Sequence, residues 1–386
     1  MLPLSYSVKS IAVRWKAASL AIVGISLVVA VLLFLLAMAS GFRLALRATG
    51  SNRNAIVLQE GAASELASTF SKAAGDRVAV DPRIARGADG KSLVSPESVT
   101  VVALPRRSDG ELSNVTVRGV TPAAFKVRNG IRVIAGRELQ PGLYEVVVGR
   151  GVQTRIRGLE VGQRLRMMKR EFLVVGVMDA GGSAFESELW GDFDDLGSAF
   201  NRAGAENSLT LRLADPGSTG ALDQEFKEDP QLQLQVKPER QFYEEQAGPL
   251  TRFLRALAIF VSVVMGIGAV FGAMNTMNAI VAARSREIGT LRALGFSRPI
   301  VLSAFVLEGL ILALAGGIIG GLLALLINGL QATTTANMGE IAFAFRVTPT
   351  DLAYGIVFAA TMGVVGSLLP ALRAARQPIV VALRDT

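Results

Sequence analysis

The stretch Arg284-Ser-Arg-Glu-Ile-Gly-Thr-Leu-Arg-Ala-Leu-Gly-Phe-Ser-Arg298 decides how this chain is read. Residues 256–283, just before it, form a run of 28 without a charge, and a second apolar stretch begins just after it. About 20 apolar residues suffice to cross the hydrocarbon core of a bilayer as a helix. Four arginines and one glutamate within 15 residues, set between two such runs, describe a short basic surface segment on one side of a membrane.

Working outward, residues 17–42, 309–339 and 352–372 are also uncharged, which makes four spans. Mean hydropathy is +0.42, with 51% hydrophobic and 19% charged residues, too apolar for one soluble domain and too charged for a chain wholly in lipid. Lys9, Arg14 and Lys16 precede the first span; Arg284, Arg286, Arg292 and Arg298 separate the second from the third; Arg373, Arg376 and Arg384 follow the fourth. The loop between spans three and four carries only Arg346, beside Glu340 and Asp351. Ten basic residues against one place both termini in the cytoplasm and the long segment between the first two spans outside.

The layout expected is a cytoplasmic segment 1–16, a transmembrane helix 17–42, a periplasmic domain 43–252 and a second transmembrane helix 253–283. The basic segment 284–298 comes next, then a helix 299–330, a short periplasmic loop 331–351, a fourth helix 352–372 and a cytoplasmic tail 373–386. The fold class is thus a membrane protein, with four transmembrane helices and a large mixed α/β extracytoplasmic domain inserted between helices 1 and 2. Ala37-Met-Ala39 resembles a signal-peptidase site, but the apolar run is 26 residues, well beyond a signal-peptide core of about 7–15. An uncleaved anchor is expected.

The segment 43–255 holds 29 of the 40 basic and 27 of the 32 acidic residues, so it is nearly neutral. The pI near 10.1 therefore reflects membrane topology, and no basic-aromatic stretch suggests nucleic acid. Cysteine and histidine are both missing from the sequence. That removes thiolate nucleophiles, imidazole acid–base chemistry, disulfides and the usual zinc ligands. Within this segment 98–104, 113–120, 144–149, 164–168, 171–178 and 208–213 read as strands punctuated by Gly and Pro. Residues 60–74, 190–203 and 217–229 read as helices, and two lobes are suggested, 43–80 with 208–250 and 95–205.

Gly87-Ala-Asp-Gly-Lys91-Ser92 ends like a phosphate-binding loop, but Ala85 stands where the pattern needs glycine, and it is read as a solvated turn. The carboxylate pairs Glu186/Glu188 and Asp194/Asp195 are read as solvated too. No catalytic, cofactor-binding or metal residue is nominated, and no nucleotide-binding motif is found, so energy must come from a partner. On the spans, Gly268/Gly272 and Gly316, Gly317, Gly320 and Gly321 form small-residue patterns suited to close helix packing, within the subunit or against a second one. Glu308 is the only charge between Pro299 and Met338 and is expected near the interface, paired with Arg284, Arg286, Arg292 or Arg298. Ile288, Leu291 and Leu294 make a short apolar stripe, with Gly295 placed to cap the helix.

The run from Ala282 to Arg298 resembles the ABC-transporter permeases of the MacB/FtsX type, as found in macrolide export and lipoprotein release. So do Phe305-Val-Leu-Glu-Gly-Leu, the Gly-Gly-x-x-Gly-Gly at 316–321, and the closing Pro370-Ala-Leu-Arg-Ala-Ala-Arg-Gln-Pro378 with Ala382-Leu-Arg384. Arg118-Gly-Val-Thr-Pro122, Gly136-Arg137, Val148-Gly149 and Val161-Gly162 resemble the family's periplasmic core domain. The resemblance implies a bacterial inner-membrane permease whose segment 284–298 is a coupling helix seated on a separate cytoplasmic ATPase, where ATP and Mg would bind. It implies contacts to that ATPase from Arg284, Arg286, Glu287, Gly289, Leu291, Arg292 and Gly295. A second permease copy or a paralogue, a periplasmic adaptor and membrane lipid are the other partners implied. Three roles stay open: export of a hydrophobic or amphipathic substrate, mechanical activation of a periplasmic partner such as a cell-wall hydrolase, and sensing within a peptide-antibiotic response complex.

Overall fold

The computed structural model describes residues 15–128, 130–336 and 339–378. Lys9, Arg14, Arg384 and the closing Ala382-Leu-Arg384 lie outside the described residues. Among those described there are ten α-helices: α1 (Trp15–Thr49), α2 (Lys72–Ala79), α3 (Ala123–Val127), α4 (Arg150–Arg155), α5 (Phe193–Ala199), α6 (Thr219–Glu228), α7 (Glu239–Ala282), α8 (Ser285–Ala293), α9 (Arg298–Leu326) and α10 (Pro349–Arg376). The strands are β1 (Asn54–Gln59), β2 (Phe70–Ser71), β3 (Val94–Pro105), β4 (Leu112–Val120), β5 (Arg132–Gly136), β6 (Glu145–Gly149), β7 (Arg164–Met167), β8 (Arg170–Asp179), β9 (Glu188–Asp192), β10 (Ala205–Glu206), β11 (Ser208–Arg212), β12 (Leu234–Pro238), β13 (Gln331–Ala336) and β14 (Gly339–Ala344). The chain divides into a helical unit, residues 1–40, 250–330 and 345–386, and an α/β unit, residues 41–249 and 331–344.

In the helical unit α1, α7, α9 and α10 are each long and apolar enough to cross a membrane. Ile25, Val29 and Leu33 of α1 pack with Ala313 and Ala324 of α9 and with Ala359 and Met362 of α10. A second cluster joins Met277 and Ile280 of α7, Ile288 of α8, Val301 and Phe305 of α9, and Ala371, Ala374 and Ala375 of α10. Thr348 and Asp351 form a reciprocal capping box at the start of α10. Ser40 Oγ donates to Asp351 Oδ2 at 3.0 Å and ties α1 to that cap.

The α/β unit is built on a ten-stranded sheet of order β12-β1-β11-β3-β4-β9-β6-β8-β5, with β7 added on β8. Its pairs are antiparallel except β4–β9 and β6–β8. One apolar cluster gathers Val57, Leu209, Leu211, Leu222 and Phe226; the other gathers Val117, Val148, Phe172, Val174 and Leu189. The long β3 joins the two lobes, pairing β11 through residues 94–97 and β4 through residues 98–105.

Two helices expected from sequence are corrected. Residues 60–74 are mostly loop, with Gly61 at φ +79, a single 3-10 turn at Glu65–Ala67 and strand β2. The helix there begins only at Lys72, because Ser71 caps it by accepting from Ala74 N. Trp190 belongs to β9, and α5 starts at Phe193 because the Asp192 carboxylate accepts from the amides of Asp194 and Asp195. The segment 87–92 is a tight turn, with Gly87 N donating to Lys91 O at 2.8 Å and Gly90 at φ +74.

Candidate functional site

The basic segment folds as one short helix with a defined stop. Phe296 N donates to Leu291 O and Gly295 N to Arg292 O, both at 3.2 Å, which is the paired bonding of a Schellman end. Gly295 sits at φ +96, a conformation that costs glycine nothing. Pro299 then lies in the first turn of α9, where its missing N–H has no partner to lose.

At 100° per residue α8 acquires two unlike faces. Ser285, Ile288 and Gly289 are buried, and Leu291 and Arg292 are half-buried. Arg286, Glu287, Thr290, Ala293 and Leu294 are exposed, Leu294 by 73%. Arg284, just before the helix, is 6% exposed. Its Nη1 meets Glu308 Oε2 of α9 at 3.0 Å, its Nε meets Glu287 Oε2 at 3.0 Å, and its guanidinium lies 5.4 Å from the Phe305 ring centre. At the other end Arg292 Nη1 donates to the Ala375 carbonyl of α10 at 2.5 Å. Gln377 Nε2 donates to Ser285 Oγ at 2.6 Å.

The seven residues nominated along this segment therefore do not form one surface. Arg284, Gly289 and Arg292 turn inward, Leu291 is half-covered, and Arg286, Glu287 and Gly295 face out. Along the stripe Ile288, Leu291, Leu294 the side chains pass from buried through half-buried to exposed. The helix ends there and the next residues leave its face. Of the four arginines offered to Glu308, Arg284 is the one it meets.

The glycines split as well. A Cβ on Gly316 or Gly320 would lie 2.9 Å from Ile22 O or 2.6 Å from Ser26 O of α1. One on Gly317 would lie 2.7 Å from Ala359 Cβ of α10, and Gly321 faces Leu352 at 3.5 Å. The third span thus uses alternate glycines to approach two helices at once. Among the described residues, nothing lies within 4 Å of a Cβ built on Gly268 or Gly272.

In the α/β unit an ion-pair network stands in the interior. Arg118, 2% exposed, reaches Glu188 Oε2 at 2.8 Å, Glu65 Oε1 at 2.7 Å and Glu97 Oε2 at 2.7 Å. Arg128 pairs with Glu97, with Thr210 Oγ1 at 2.7 Å and with Glu239 Oε1 at 3.3 Å. Glu239 opens α7 and accepts from Ser51 N at 2.9 Å. Beside it the backbones run so close that a Cβ on Gly50 would lie 2.5 Å from Arg240 Cα. Burial works against ionisation of Glu97, but Arg128 and Arg118 outweigh it and hold its carboxyl below the usual range. Burial likewise opposes the charge of Arg118, and Glu188 and Glu65 more than restore it. Trp190 Nε1 donates to Glu188 Oε2 at 2.8 Å. A narrow cavity of about 50 Å³ borders the network between Leu46, Glu65, Glu188, Tyr243 and Glu340.

The model of the MacB-like periplasmic core domain matches residues 18–229, and that of the FtsX-like permease C-terminal region matches residues 259–379. The chain belongs to the MacB/FtsX-type ABC-transporter permeases. The macrolide export ATP-binding/permease protein MacB of Neisseria gonorrhoeae is 24% identical over 323 residues, covering 75% of this chain and 47% of that protein. An uncharacterized ABC transporter permease of Methanocaldococcus jannaschii is 25% identical over 264 residues, covering 66% of each. The permease spans about half the length of the curated MacB relatives it matches. Among solved structures, the periplasmic region of MacB from Actinobacillus actinomycetemcomitans covers 51% of this chain and 92% of its own, at 15% identity and a TM-score of 0.39.

The FtsX-like half of the permease holds α8 and its attachments; the MacB-like half holds most of the buried network. Of the carboxylate pairs Glu186/Glu188 and Asp194/Asp195, expected to be solvated, three members are buried. Glu188 pairs with Arg118, Glu186 accepts from Gly182 N at 2.9 Å, and Asp195 accepts from Tyr144 N at 2.9 Å. Arg118 was visible only as part of a family motif. Strand alternation puts it on the face opposite Val115 and Val117, and the sequence gives no sign that this face is covered too.

Proposed function

We propose that this chain is the transmembrane subunit of an ABC transporter in a bacterial inner membrane, driven by a separate cytoplasmic ATPase that binds ATP and Mg. Both termini and α8 face the cytoplasm, and the α/β unit lies in the periplasm, as the distribution of arginines favours. The observation that carries this reading is α8: a basic, capped, two-faced helix between two spans of the FtsX-like half, one face packed on α9 and α10 and the other open. Two permease copies, or this chain and a paralogue, complete the complex.

The work done is export or extraction of a hydrophobic or amphipathic substrate through movement of the periplasmic unit, with nucleotide-driven displacement of α8 as the input. Few polar side chains line the spans, which suits a lever better than an aqueous channel. The test is ATP hydrolysis by the reconstituted permease–ATPase complex, with lipids, peptides and amphipathic drugs added in turn. Stimulation by such a compound supports export. Stimulation only by a cell-wall hydrolase would replace export with mechanical activation of that enzyme.

A further inference from the structure

Two arginines of the basic segment are spent before any partner arrives. Arg284 is 6% exposed and reaches Glu308, itself 3% exposed, inside α9. Arg292 reaches the Ala375 carbonyl in the last turn of α10, where the end of the helix leaves carbonyls without intrahelical donors and favours a cation. The two attachments stand eight residues apart, about 12 Å along a helix. One attachment would leave α8 free to swivel, whereas two, at opposite ends and on different helices, fix its orientation. Ile288, 2% exposed and packed with Val301, Phe305, Ala371 and Ala374, fills the space between them. A Cβ on Gly363 of α10 would lie 2.4 Å from Ala313 Cβ of α9, so the two receiving helices are themselves in close contact.

We infer that Arg284 and Arg292 are positioning residues that rivet α8 to α9 and α10, so that a push on α8 moves both helices together, while the ATPase touches the opposite face at Arg286, Thr290 and Leu294. This rests on the reading that α8 seats an ATPase. It divides the basic segment into residues that transmit and residues that bind. Leu294, exposed beside the glycine turn, enters an apolar cleft of the ATPase, and Arg286 meets an acidic group at its edge.

The experiment uses the full chain in lipid nanodiscs with its ATPase. It measures the affinity of the ATPase and the change in backbone hydrogen exchange in α9 and α10 when a non-hydrolysable ATP analogue binds. Arg286→Glu and Leu294→Asp are expected to weaken ATPase binding at least tenfold while leaving exchange in α8 of the free permease within threefold of wild type. The Arg284→Ala/Arg292→Ala variant is expected to bind the ATPase within threefold of wild type yet lose the nucleotide-dependent change in α9 and α10. Arg284→Lys, which keeps a charge for Glu308, is expected to restore at least half of that change. If the alanine pair does not insert, Arg284→Lys combined with Arg292→Met serves in its place, with the response in α10 lost and that in α9 kept. Tenfold weaker ATPase binding by the inward variants, or an intact nucleotide response in them, overturns the inference. Wild-type binding by both outward variants overturns instead the reading that α8 is the seat.

Discussion

Arg118→Leu in the full chain tests the buried network directly. Two guanidiniums, Arg118 and Arg128, stand among four carboxylates, Glu65, Glu97, Glu188 and Glu239, and all six residues are at most 7% exposed. Glu97 and Glu239 keep Arg128 after the substitution, but Glu65 and Glu188 lose their guanidinium. Removing the guanidinium leaves buried carboxylates uncompensated, at a cost of about 3–5 kcal/mol for a broken buried pair. The loss expected for the broken pairs is therefore about 3–5 kcal/mol at pH 7.

For a domain of this size each kcal/mol moves the unfolding midpoint by roughly 2–4 °C, which places the drop at about 6–20 °C at pH 7. The assay is built in. The chain has two tryptophans, Trp15 and Trp190, and Trp190 is fully buried with its Nε1 on Glu188. A Trp15→Phe background followed by emission during heating in detergent isolates the α/β unit. A drop below about 2 °C at pH 7 would refute the pairing argument.

Other perturbations separate packing from charge. Glu206 is 2% exposed, one of its oxygens has no hydrogen-bond partner, and burial raises its pKa from 4.5 to about 7, against the pull of Lys72 and with the push of Asp76. The folded state thus holds this proton more tightly than the unfolded one. Stability is greatest below about pH 4.5 and falls as the pH rises to about 7, by roughly 1–3 kcal/mol after allowing for screening; Glu206→Gln should flatten that slope in denaturant titrations across the interval. Gly320→Ala, whose Cβ would meet backbone of α1 at 2.6 Å, should cost about 1–3 kcal/mol, read as earlier heat aggregation in detergent, whereas Gly272→Ala, with open space around it, should stay within about 0.5 kcal/mol.

The legible parts of the fold were those written locally. A run of more than twenty uncharged residues admits few readings, and the strand segments are marked by alternating apolar residues closed by Gly or Pro. What sequence could not supply depends on neighbours distant in the chain. Glu97, Arg118 and Glu188 converge because β3, β4 and β9 lie side by side, an order that no single strand encodes, and Glu65 joins them from its 3-10 turn. Each carboxylate alone is best read as solvated, since lone charges are rarely buried, and the pairing that makes burial affordable lies 21 to 70 residues away.

The same limit explains the glycines and the arginines of the helical unit. Gly268/Gly272 and Gly316/Gly320 obey one spacing rule, yet among the described residues only the second pair closely approaches another helix, because α9 lies against both α1 and α10 while α7 leaves that face open. Likewise four arginines follow the second span with equal claim to Glu308. Arg284 prevails because it sits where α7 gives way to α8, close enough to α9 to be buried without lengthening either helix. A charge pattern of this kind establishes that a segment faces the cytoplasm. Which of its charges hold the segment in place and which remain for a partner is decided by the helix ends, and Gly295 fixes one of them.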